Sequence, residues 1–390
     1  MEHQKNKWGT VALFCGGLFA SILAFEGYVR LVEATPLWRI MPITEVSLFA
    51  PDKYTGYTHR PGAKGIWTTE NRTGVEISAL GLRDRLDRTR EKPGGSTRWA
   101  VIGDSIVESL QVPLDKTFAM LAEKRLSART GHQVEVINMG LSGATPAVIA
   151  ERLRTRGEAL ELDGIIVLIS ASDFLSDAPD EDTRFVGYKA APGGGARLSY
   201  AFRETSGYRF RAGIFGTVFY WLLDHSRTAL VLNNRKNQGF FQEIIAAQAK
   251  PAISTQAQDQ AEYAKAQLTK HLVLWNGKTT GFANARLKAF LRAVHDSAKR
   301  GKFKVVFAIR NIPHCPADPA NHNALKAAMT KRLAKHGFRF VDVAQNLKNR
   351  LPPKTDLSDL HGFGPRHGYG HLNTRGHTHY AKMIEDIVGL

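Results

Sequence analysis

Between residues 99 and 180 the sequence alternates short, unbroken apolar runs with amphipathic stretches, and few architectures accommodate that order. An apolar run without polar alternation reads as a strand buried on both faces. Runs at 99–102, 134–138 and 165–169 have this character. A helix expected near 115–129 places Phe118, Leu121, Ala122 and Leu126 on one face. A second is expected near 146–157. The βαβαβ order predicts a parallel sheet with helices on both sides. The pattern resumes with a strand at 304–309, a helix near 321–336 ended by Gly337, and a strand at 338–343. A last helix from about Arg375 is capped by Asn373 or Thr374. Its Tyr380, Met383, Ile384 and Ile387 recur at i, i+3, i+4 and i+7. The expected fold class is α/β: a three-layer, doubly wound parallel sheet over residues 96–390.

Residues 185–300 interrupt this alternation as a largely helical insertion. Gly193, Gly194 and Gly195 predict a flexible loop. The uncharged stretch 212–223 is too short to span a bilayer. It reads first as a buried cap helix and second as a helix at a membrane surface or around an acyl chain. Residues 247–268, rich in Ala and Gln, read as an exposed helix or a mobile connection.

The N-terminus carries an uncharged, mostly apolar run at 8–25, about the minimum for a membrane-spanning helix. Lys5 and Lys7 precede it and favour an N-terminus inside the cytoplasm. A cleaved signal peptide competes, but Ile22-Leu23-Ala24 lacks the small residue expected three before the cut. The favoured organisation is an uncleaved anchor at 1–26 and a juxtamembrane segment at 27–95, followed by the α/β domain. The anchor predicts a single-pass protein of a bacterial inner membrane, with the domain on the periplasmic, extracytoplasmic side.

The formal charge of +17 suits an acidic glycan or anionic lipid headgroups. Nucleic acid is not the expected partner, because zinc-finger spacing, a basic recognition helix and RNA-binding aromatic motifs are absent. Cys15 and Cys315 offer no disulfide framework and no CxxC metal pair. His361, His367, His371, His377 and His379 cluster near the C-terminus, but no recognised metal-ligand spacing joins them. Neither a metal nor another cofactor is expected. Phosphate-binding glycine motifs are missing as well.

Three strand-to-helix loops carry chemistry: Gly103-Asp104-Ser105, Leu141-Ser142-Gly143-Ala144 and Ser170-Ala171-Ser172-Asp173. In a parallel sheet they emerge at one edge, where open α/β sheets bind ligands. His371, before the last helix, can reach the same edge. A serine, a histidine and oxyanion donors are what acyl transfer needs. The ordered stretches GDS, NMGLSGAT and HLNTRGH, with ALGLRDR at 79–85, resemble the SGNH (GDSL-type) hydrolase family in its membrane-anchored bacterial form. The resemblance implies Ser105 as nucleophile, His371 as base, and an oxyanion site from the Ser105 and Gly143 amides.

Two positions depart from that family. Its third block normally ends Gly-x-Asn-Asp, and here Ser172 replaces the oxyanion asparagine. Its acid normally lies two or three residues before the histidine, where this chain has Tyr369 and Gly368. The acid is then either absent, leaving a Ser-His dyad, or supplied by Asp356 or Asp359. Asp104 reads as loop support and His377 as a packing residue.

The expected function is an extracytoplasmic serine esterase or O-acyltransferase on acyl, chiefly acetyl, esters of cell-envelope polysaccharide. A membrane acyltransferase is a candidate partner. A lipid ester is an alternative substrate. The rival reading is a degenerate domain of this family that binds or scaffolds glycan without turnover.

Overall fold

The computed structural model describes residues 2–35, 37, 47–176, 180, 184–234, 257–279, 281–314, 316 and 318–389. Cys315 and part of the 247–268 stretch lie outside the described residues. The chain opens with helix α1 (Glu2–Ala34), then two antiparallel hairpins, β1 (Phe49–Asp52) with β2 (Gly56–His59) and β3 (Lys64–Trp67) with β4 (Thr73–Glu76). The α/β order follows: β5 (Thr97–Gly103), α2 (Ser105–Glu108), α3 (Phe118–Thr130), β6 (Val134–Asn138), α4 (Pro146–Thr155) and β7 (Gly164–Ser170).

Next comes the insertion. It holds β8 (Gly187–Ala190), β9 (Ala196–Ser199), α5 (Ser206–Ala212), α6 (Ile214–His225), α7 (227–234), α8 (Ala257–Trp275) and α9 (Phe282–Gly301). The domain closes with β10 (Lys304–Arg310), α10 (Pro319–Ala334), β11 (Arg339–Asp342), α11 (Val343–Lys348) and α12 (Thr374–Val388).

Five strands form one parallel sheet in the order β11-β10-β7-β5-β6. Alternate residues of each central strand point to opposite layers. Ala100 and Ile102 of β5, Ile165, Val167 and Ile169 of β7, and Phe307 of β10 meet α4, α9 and α10. Val101, Ile166, Leu168 and Ala308 meet α3, α11 and α12 on the other face. This is the three-layer, doubly wound arrangement expected from the sequence, and it explains the unbroken apolar runs. Asn373 caps α12 through its side chain.

Four features differ from the sequence expectations. The glycines at 193–195 all adopt positive φ, and they turn the tight β8–β9 hairpin instead of forming an open loop. The apolar stretch 212–223 is not a buried cap helix. In α6 only Gly216 and Leu223 are buried, because most of its apolar surface turns away from the domain core. Helix α1 runs past residue 26 to Ala34; its segment 8–34 is long and apolar enough to cross a membrane. Finally, residues 47–95 are built into the domain. Arg88 is buried and bonds Asp84, Glu123 of α3 and Glu135 of β6 at 2.7–3.0 Å. Such a network destabilises strongly when one partner is removed, which ties the juxtamembrane segment to the sheet.

Candidate active site

Strand β5 ends at Gly103, a position that excludes a side chain because its Cβ would collide with the Leu168 carbonyl and Val107. Asp104 then caps α2, accepting from the Ile106 amide at 2.9 Å. Its other oxygen accepts from Arg310 Nη2 at 2.7 Å. Asp104 therefore supports the loop, and Ser105 opens the short helix beside it. Gly103 pairs with Leu168 and Arg310 with Ser170, so the carboxyl ends of β5, β7 and β10 lie at one edge.

His371 lies between Gly370 and the start of α12, fixed by a bridge from Leu372 to His361. Neither Asp356 nor Asp359 bonds its ring. Asp356 caps the short turn at 357–360 through the Ser358 amide, and the Asp359 contact to this region is its backbone carbonyl, bonded by Asn373. The Nδ1 partner is Glu70, at 2.9 Å, and the second Glu70 oxygen accepts from the His371 amide at 3.1 Å. Burial alone would raise the Glu70 carboxyl. The bonds and charge of His371 outweigh it and hold Glu70 below the usual carboxylate range. With Nδ1–H given to Glu70, Nε2 is the basic nitrogen.

Glu70 lies in the turn between β3 and β4 with φ of 70°, a left-handed conformation uncommon for a non-glycine residue. Gly370 makes the approach possible, since a Cβ there would stand 2.9 Å from both Glu70 oxygens.

The second loop is held by a network that the sequence did not announce. Gly140 packs directly on the α2 backbone, where a Cβ would stand 2.1 Å from the Glu108 amide. Asn138 closes the same contact, donating to Val107 O at 2.8 Å and accepting from the Gly140 amide at 2.9 Å. Glu108, three residues after Ser105, accepts from His59 Nε2 and from Ser142 Oγ. Tyr57 donates to the Ser142 carbonyl, and Gly143 follows with φ of 73°. Burial keeps His59 neutral, consistent with its buried, unbonded Nδ1. Glu108 stays ionised despite burial, because His59 and Ser142 donate to it. The helix bearing Ser105 and the loop bearing Gly143 are thus tied through one carboxylate.

In the third loop Ser172 Oγ lies 2.9 Å from Ser170 Oγ. Asn311 Nδ2 donates to the same Ser170 hydroxyl at 3.3 Å, which brings a carboxamide to the corner where the third block lacks one. Asp173 is half-buried, and desolvation of its carboxyl, followed by the charge of Asp104, raises it to about 7. His377 is a packing residue: it stacks on Phe118, accepts from the Phe118 amide at 3.2 Å, and burial lowers it to about 3. His361 holds the Gly370 carbonyl through Nδ1 at 3.0 Å. A cleft at the opposite, amino-terminal edge of the sheet, lined by Trp99, His295, Lys304, His336 and Phe338, contains none of these groups.

The profile of the GDSL-like lipase/acylhydrolase family matches residues 101–379, from the strand before Ser105 to the last helix. The chain belongs to this family. Several solved structures align with it at low identity. A lipase/acylhydrolase from Enterococcus faecalis is 12% identical with a TM-score of 0.34, over 75% of this chain and 95% of that one. Axe2, an acetylxylan esterase from Geobacillus stearothermophilus, is 11% identical with a TM-score of 0.34, over 75% and 94%. TesA is 11% identical with a TM-score of 0.36, over 75% and 98%. No curated protein matches the sequence. The GDSL-like profile begins at residue 101 and so leaves out Glu70, the partner that the histidine finds here.

Proposed function

We propose that this GDSL-like hydrolase is a membrane-anchored, extracytoplasmic serine esterase or O-acyltransferase acting on acyl esters of cell-envelope polysaccharide. The observation that carries the reading is the Glu70–His371 pair, in which one carboxylate holds the backbone and the ring of the histidine at two points. Ser105 Oγ attacks the ester carbonyl while His371 Nε2 takes its proton. Glu70 keeps the imidazole in the required tautomer and stabilises the imidazolium. The Ser105 and Gly143 amides, with Ser172, bond the oxyanion. On collapse His371 returns the proton to the leaving alcohol, and the acyl group stays on Ser105. Water then releases it as acid, or a sugar hydroxyl accepts it.

An ionised carboxylate on Nδ1 favours turnover over the non-catalytic scaffold, since a decayed site has no use for a two-point clamp. The charge of +17 suits an acidic glycan. Helix α1, long and apolar enough to cross a membrane, supports the anchored location. Treatment of the full chain with a fluorophosphonate probe tests the reading. Labelling that is lost in both Ser105→Ala and His371→Ala is the expected result. Failure of the folded wild type to label would contradict it.

A further inference from the structure

Helix α6 presents a continuous apolar face to the outside. Ile214 and Phe215 are 80% and 68% exposed, and Val218, Trp221 and Leu222 are exposed with them. Their spacing, i, i+1, i+4, i+7 and i+8, is one stripe of a helix. Phe210 of α5 extends the stripe, and Arg209 and Arg211 flank it. A patch of this kind on a folded domain marks an interaction surface.

The position of the stripe names its occupant. Helix α6 ends against α1, at the point where α1 leaves its apolar stretch. Arg30 of α1 donates to the His225 carbonyl at 3.3 Å. Glu26 accepts from Ser226 Oγ and from the Arg227 and Thr228 amides at 2.8–3.1 Å, which caps α7. Arg227 also pairs with Glu33 at 3.1 Å. On the N-terminal side of this junction α1 exposes Trp8, Leu13, Phe14 and Phe19. Exposed apolar side chains therefore stand on both α1 and α6, and ion-paired side chains join the two helices where they meet.

We infer that the α5–α6 face is embedded in the outer part of the same bilayer that α1 spans, as a second membrane contact. This inference rests on the anchored reading of α1 given above. An amphipathic helix with aromatic and aliphatic residues on one face and arginines at its ends is suited to lie in that interface. The contact also reaches the site. Asp224 of α6 forms a two-point ion pair with Arg60 at 2.6 Å, and the adjacent His59 holds Glu108 of the Ser105 helix. Neighbouring residues of the β2 segment thus contact both α6 and α2.

The test uses the full chain in vesicles of phosphatidylethanolamine and phosphatidylglycerol containing a nitroxide-labelled lipid. An environment-sensitive fluorophore is attached singly, with the other cysteines changed to serine. The positions are native Cys15 in α1, Phe215→Cys and Val218→Cys in α6, and Ala128→Cys in α3, which packs in the sheet layer opposite the one that Tyr208 of α5 joins. All the attachment sites are exposed, and thermal melts confirm folding. The inference expects quenching by nitroxide lipid at 215 and 218 comparable to that at Cys15, with none at 128. Quenching at Cys15 but iodide quenching at 215 and 218 would overturn the α6 contact and leave the anchor standing. Iodide quenching at Cys15 itself would overturn the anchor and the inference together. Labels at 215 and 218 shielded from both quenchers would overturn the bilayer as occupant in favour of a second protein surface.

Discussion

Two carboxylate–histidine pairs stand in the structure, and their surroundings are opposite. Glu108–His59 is fully enclosed, and its third partner, Ser142, donates to the carboxylate and not to the imidazole. Glu70–His371 lies at the sheet edge with its imidazole partly exposed. The chemical groups are the same. Burial and the choice of partner make the first a brace between α2 and the Gly143 loop, and leave the second with a basic nitrogen for chemistry. Exposure at the edge is what lets a proton leave and return; enclosure is what fixes a loop.

The comparison sharpens into substitutions of unequal weight. His371→Ala is expected to cost on the order of 10⁶ in kcat toward an activated acyl ester, as removal of a base acting as a unit with its serine does. The protein stays folded, and circular dichroism with ester hydrolysis checks both halves. His59→Ala strikes the brace instead. It leaves Glu108 ionised and buried without one of its two side-chain donors, at a cost of about 3 kcal/mol in denaturant unfolding. A milder effect on unfolding than on activity would reverse the roles assigned to the two histidines.

Ser142→Ala removes one donor to that carboxylate and should cost about 1.5–3 kcal/mol, with slower acylation as the Gly143 loop loosens. The smallest effect concerns pH. Asp173 is raised from 3.8 to about 7 in the fold, so the folded state binds the extra proton. Stability from this group therefore falls as pH rises from 3.8 to about 7 and is flat above. Asp173→Asn should gain in Tm over wild type at pH 8 and much less at pH 4.

What the sequence made legible was local. Apolar runs gave the sheet strands, because a strand buried on both faces leaves no choice of residue. Gly-Asp-Ser and Gly143 read correctly as loops at one edge for the same reason. Glu70 was not legible. It meets His371 across 301 positions, from a turn between short strands whose spacing carries no periodic signal. Asp356 and Asp359 lie nearer to His371 in sequence, and sequence proximity does not decide which carboxylate faces Nδ1. His59 and Tyr57 were hidden in the same way, in a hairpin read only as juxtamembrane chain. Helix α6 misled for a different reason: apolar composition reports affinity for an apolar medium, and that medium need not be the protein core.

The central claim is that Glu70 completes a triad with Ser105 and His371. Second-order rates of fluorophosphonate labelling, measured for Glu70→Gln and for the Asp356→Asn, Asp359→Asn double variant, test it most directly. The triad predicts a loss of about 10³–10⁴ for Glu70→Gln, the scale seen when a triad acid is made neutral, and a wild-type rate for the double variant. A wild-type rate for Glu70→Gln, or a comparable loss in the double variant, would contradict it.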